Sequence, residues 1–144
     1  MSHVARIEID IKDLDALKAA CVQLGLEFVP NQQSYAWYGQ YVGDTPLPDG
    51  FTAADMGRCD HAIRVPGARY EVGVVHRNGK YHLLWDFYRS GGLERVLGKG
   101  AGRLKQAYSV ERVRREARLQ GYRLRERRTE RGIRMVLTKG TVNG

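Results

Sequence analysis

Arginine crowds into the last third of the chain, and eight of its arginines stand out by their spacing: Arg112, Arg114, Arg115 and Arg118, then Arg123, Arg125, Arg127 and Arg134. A guanidinium presents its N–H donors as a planar fork that matches phosphate or carboxylate oxygens in pairs, and it stays charged across the biological pH range. At this density the first ligand to expect is a polyanion, RNA or DNA, held through its backbone phosphates. Two other roles use the same side chains. One is docking onto an acidic protein surface, either a separate partner or the amino-terminal half of another copy; the other is a plain solvated face.

Glu71 and Asp86 form a second candidate. Asn78-Gly79 between two alternating apolar runs calls for a two-residue type I′ turn. That register sets Glu71 directly opposite Asp86. Like charges facing one another across a sheet are destabilising unless an arginine such as Arg64 bridges them, a metal binds, or one carboxyl stays protonated and serves as an acid. The remaining reactive groups make weaker patterns. Cys59-Asp60-His61 brings a thiol near an imidazole, but no oxyanion element accompanies it. His3, His61, His76 and His82 lack a zinc-ligand spacing. The stretch 98–102 has glycines around Lys99, yet Leu93 stands where a phosphate loop needs its first glycine and Gly100 where it needs Ser or Thr. No cofactor and no metal is expected, and a non-enzymatic binding role leads.

These groups need elements to position them. Residues 3–11 alternate with Ile7, Ile9 and Ile11 on one face, the signature of a half-buried strand. Asp13 is an N-cap for a helix carrying Leu14, Leu17, Cys21 and Leu24, which Gly25 ends. Residues 26–29 and the aromatic run 35–42 read as strands. Residues 43–60 follow as a long irregular loop, with Trp37, Tyr38 and Tyr41 just before it as the chief aromatics that could stack on bases. A strand at 62–65 leads into the hairpin of 70–87, whose Tyr70, Val72, Val74, Leu83, Trp85 and Phe87 make an apolar wall.

Leu93, Val96, Leu97, Leu104 and Tyr108 share a helical stripe, with a break expected at 98–102 because interior glycines cost about 1 kcal/mol each. Ser109 is the expected cap of a further helix whose inward side is Val110, Val113 and Ala117. Its outward side is the first four arginines. A closing hairpin at 122–138 with Arg128 opposite Ile133 turns Leu124, Met135 and Leu137 inward and the last four arginines outward together.

Charge follows the same division: residues 1–72 are net −4 and residues 73–144 net +12, against +8 for the whole chain of 144 residues. The composition fits one domain, residues 1–140, with a short tail at 141–144. No apolar run approaches the length of a membrane-spanning helix and no signal-peptide pattern opens the chain, so the expected location is the cytoplasm. Cys21 and Cys59 are expected as free thiols. Partners to expect are a nucleic acid, an acidic protein or a second copy of the chain.

Several stretches resemble a family of small proteins from plastids and bacteria, the hypothetical chloroplast reading frame 35 family. They are the opening Met1-Ser2-His3, residues 11–18, residues 69–73, Tyr81-His82-Leu83-Leu84-Trp85-Asp86, and Gln120-Gly121-Tyr122 before the last hairpin. The resemblance implies an α+β fold and no particular activity, and it draws attention to Asp86, since the family tends to carry acids at both hairpin positions. The fold expected is a mainly antiparallel, twisted sheet with helices on one face and a C-terminal β-hairpin.

Overall fold

The hairpin lies at the centre of the architecture. In the computed structural model, which describes residues 3–41, 43 and 45–139, Asn78 and Gly79 both take positive φ (54° and 74°), as a type I′ turn requires. Strands β4 (Glu71–Arg77) and β5 (Lys80–Asp86) pair in the expected register from Arg77–Lys80 to Gly73–Leu84. Strands β1 (Val4–Arg6), β2 (Glu27–Pro30) and β3 (His61–Arg64) complete a five-stranded antiparallel sheet in the order β1-β5-β4-β3-β2.

Helices cover one face. Helix α1 (Leu14–Leu24) starts where the Asp13 carboxylate accepts the Ala16 amide N–H and ends at Gly25 in the left-handed conformation. Helices α2 (Leu93–Leu97) and α3 (Gly102–Gln120) lie on the same side. Together they bury Leu17, Cys21, Leu93, Leu97, Leu104 and Tyr108 against Ile63, Val72, Val74, Leu83 and Trp85. The fold is α+β, as expected. No helix among the described residues is long and apolar enough to cross a membrane.

Four local expectations change. The first strand covers three residues only, because the Ile9 amide turns back to the Ile7 carbonyl (2.9 Å); Ile11 rejoins the sheet through a single bridge to Tyr81. Alternation nevertheless holds for burial, with Val4 on one face and Ile7 and Ile11 on the other. The run 35–42 is not a strand, and its Val42 lies outside the described residues. Instead Tyr35 lies over Gly73 in β4, so closely that an added Cβ would sit 2.3 Å from the ring. The stretch 43–60, whose Asp44 also lies outside the described residues, is irregular but covers the sheet: Phe51 and Met56 join Tyr35, Val4, Ala62, Val75 and Leu84 in a second apolar cluster on the face away from the helices. The hairpin face carrying Val75 and Leu84 is therefore core as well. Lastly, the chain breaks between α2 and α3 as anticipated, but α3 begins at Gly102 and runs through Ser109, which caps nothing. Leu104, Ala107, Tyr108 and Val110 hold one continuous buried stripe, and Tyr108 Oη accepts the amide N–H groups of Lys12 and Asp13 (3.1 and 3.3 Å). Residues 140–144, including the expected tail, lie outside the described residues.

The contact of Tyr35 with Gly73 generates a test of the second layer. Gly73→Ala should cost about 2 kcal/mol through overpacking, and almost nothing once Tyr35→Ala has emptied the site. Urea denaturation of the two single variants and the double variant measures this; equal costs in both backgrounds would mean the ring does not rest on Gly73.

Candidate nucleic-acid interface

Helix α3 ends at Gly121, again left-handed, and the chain reverses into β6 (Tyr122–Thr129) and β7 (Gly132–Lys139). These strands form a separate two-stranded ribbon, with Arg128 opposite Ile133 as expected. Eight residues a strand make it about 27 Å long at 3.4 Å per residue. Its most extensive packing against the rest of the protein is on α3. Leu124, Ile133 and Met135 are half-buried on that side, while Leu137 on the same side is 44% exposed. The opposite side presents Arg123, Arg125, Arg127 and Arg134, all exposed, along with Val136 and Thr138.

Arg127 and Arg134 are direct cross-strand partners. Two guanidinium groups facing one another repel, and nothing acidic shares their side of the ribbon, since Glu126 alternates to the other side. None of the four outward arginines has an ionic partner among the described residues. Arg128 and Arg131, beside and within the turn, are exposed too and extend the positive field. Their signal in the sequence was the bare density of arginine.

The helix arginines, expected as polyanion contacts alongside those of the ribbon, behave differently. Arg115 donates through Nε to Asp13 (2.8 Å) and lies 3.7 Å from Asp15; Arg112 reaches Asp13 at 3.6 Å. Burial pushes the Asp13 carboxyl up, but the Ala16 amide and the Arg115 guanidinium outweigh it and leave the pKa below the ordinary value. Arg114 binds Glu111 through Nη1 (2.7 Å) and grips Glu126 of β6 through Nε and Nη2 (2.7 Å for Nη2). The Arg114 hydrogen bond holds the Glu126 carboxyl below its usual range. These three arginines bind acids of their own chain. Arg118 alone of the helix set is exposed without an ionic partner among the described residues, beside Leu124 and Glu126.

Glu71 and Asp86 do not pair. The β4–β5 ladder stops at Gly73–Leu84, after which Glu71 pairs with Arg64 on β3 and Asp86 with Val4 on β1. Glu71 meets Arg64 at 3.3 Å and accepts from Gln32 Nε2 and the Ala36 amide. Asp86 is wholly buried, and its carboxylate accepts three backbone N–H groups: His3 (3.0 Å), Tyr88 (3.0 Å) and Tyr38 (3.1 Å). Arg64 thus serves one acid, and amides serve the other. Both cysteines are free, and burial pushes the Cys59 thiol up to about 12, which keeps it protonated and poorly nucleophilic. Among the described residues no group of three His, Cys, Asp or Glu side chains is arranged to hold a metal. The 98–102 stretch makes the joint into α3, with Ala101 buried. Of the aromatics, Trp37 and Tyr41 are half-buried and Tyr38 is 44% exposed, none of them on the ribbon.

No family model, curated protein or solved structure matches the chain. The class of the protein is accordingly set by its own geometry: an α+β domain carrying an arginine-faced β-ribbon clamped to its last helix.

Two outcomes check this anatomy. Asp86→Asn should destabilise the fold by about 3 kcal/mol, because an amide NH2 must then face at least one of the buried N–H donors; retention of full stability in urea would remove Asp86 from its structural role. Since the Glu126 pKa is lowered in the folded state, the Arg114 clamp is fully present above the ordinary value of about 4.3 and is lost as pH falls through the lowered one. Methyl NMR signals of Leu124 and Ile133 should therefore report an acid transition that Glu126→Gln abolishes. An identical titration in the variant would count against the clamp.

Proposed function

We propose that the chain is a non-enzymatic binding protein whose ribbon grips the phosphate backbone of a nucleic acid. The observation that carries this reading is the cross-strand pair Arg127–Arg134 within a face that has four arginines and no acid. A bound polyanion would convert that repulsion into attraction, and the counterions released from the nucleic acid would drive association. Arg123, Arg125, Arg127 and Arg134 are the contact residues, with Arg118 at the flank. Arg112, Arg114 and Arg115 mount the surface without belonging to it.

Docking onto an acidic protein, the nearest competing role, has less support in its self-association form. Asp13 and Asp15 of the acidic half are already bound by arginines of the same chain. A small enzyme using Glu71 and Asp86 has the least support, since both carboxylates are committed to donors within the fold.

The test is a salt series of fluorescence anisotropy with labelled single-stranded RNA and duplex DNA on nuclease-treated protein. Up to four phosphate contacts predict a log–log slope no steeper than about −3.6 on duplex DNA, at about −0.9 per contact. Arg125→Glu with Arg127→Glu should weaken binding at least tenfold and flatten the slope by about 2. Because the carboxylate introduced at position 127 would face Arg134 as an ion pair, the same change should leave stability in urea unchanged or raise it. Unaltered binding by this stable variant would defeat the proposal.

A further inference from the structure

The outer face of the ribbon narrows the choice of nucleic acid. Unpaired strands are held largely by aromatic side chains on which bases stack, and this face offers none: its central residues are Arg123, Arg125, Arg127, Arg134, Val136 and Thr138. Duplex RNA hides its base edges in a deep, narrow major groove that side chains do not reach. The major groove of B-form DNA, about 12 Å wide, admits a two-stranded β-ribbon. The dimensions agree along the ribbon as well. Alternate residues of a strand lie about 6.8 Å apart, so Arg123, Arg125 and Arg127 advance by two base-pair rises of about 3.4 Å at each step.

Chemistry points the same way. In the groove the central Arg125 would turn its fork to the O6 and N7 acceptors of guanine while Arg123, Arg127 and Arg134 keep to phosphates, and threonine serves several base edges. Val136 stands opposite Arg125 in the middle of the basic face, 42% exposed. A surface that only grips phosphates has no use for an apolar side chain at its centre, whereas the thymine methyl is an apolar feature of the major-groove floor. Two strands with no further strand beside them also leave the ribbon slim enough to enter.

We infer that the ligand is B-form duplex DNA and that the outer face of the ribbon enters its major groove, an inference that rests on the polyanion reading of the same surface. Competition anisotropy on the full chain, at one salt concentration, compares a mixed-sequence DNA duplex of about 20 base pairs with RNA duplex and single-stranded RNA of the same sequence. Expected is a preference for duplex DNA of at least about tenfold, with methylation of guanine N7 interfering with binding. Arg125→Lys, which keeps the charge and loses the fork, should weaken duplex DNA binding about fivefold or more with little change in salt slope. Equal affinity for all three nucleic acids, indifference to N7 methylation, or a preference for RNA would overturn the major-groove inference while leaving the phosphate grip standing. No binding to any of them at low salt would overturn both.

Discussion

One buried carboxylate ties together segments that the sheet alone would leave loose. Asp86 sits at the end of β5 with no exposure to solvent, and its oxygens collect amide N–H groups from His3 just before β1, from Tyr38 in the aromatic run and from Tyr88 just past β5. A charge withdrawn from water this completely is tolerated only when its hydrogen-bonding capacity is met. Meeting it fixes His3, Tyr38 and Tyr88 about a single point. The cover layer over the second face of the sheet is positioned from there, with Tyr35 resting on the one β4 residue that has no side chain.

The basic end of the molecule depends on an analogous use of charge, this time at the surface. Asp13 caps α1 and also receives Arg112 and Arg115, so one side chain starts a helix and anchors another. Tyr108 closes the same junction by accepting the Lys12 and Asp13 amides. Arg114 then carries the connection onward to Glu126 in the ribbon. Part of the positive charge of the carboxyl-terminal half is thereby used to hold the acidic half in place. Part of what remains, Arg123, Arg125, Arg127 and Arg134, shares the outer face of the ribbon, where it has no ionic partner among the described residues. Binding of the proposed polyanion there would not first have to break internal ion pairs.

Much of the local structure was legible. Asn78-Gly79 dictated a turn and therefore a register; Asp13 and Gly25 bracketed α1; the spacing about Arg128 and Ile133 divided the last hairpin into an inner and an outer side. These signals live within a few residues of one another, in turn chemistry, caps and alternation, which act on the backbone before any tertiary contact forms. The errors arose where a local pattern had two physical meanings. Tyr35 and Trp37 packed on a sheet face without pairing into it, and Ser109, a good cap in isolation, lay inside a stripe of buried residues long enough to carry the helix past it.

The sequence by itself determined the α+β class, the hairpin registers and the accumulation of arginine toward the carboxyl terminus. Only the tertiary structure decided which arginines are free. Arg115 and Asp13 are 102 positions apart, and no periodicity links them; the packing of α1 against α3 brings them within hydrogen-bonding distance. Glu71 and Asp86 were likewise separated by long-range pairing, with β3 and β1 supplying neighbours that a hairpin read alone lacks. Charge is a property of composition, but its availability depends on which opposite charges the fold places beside it, and that is a non-local quantity.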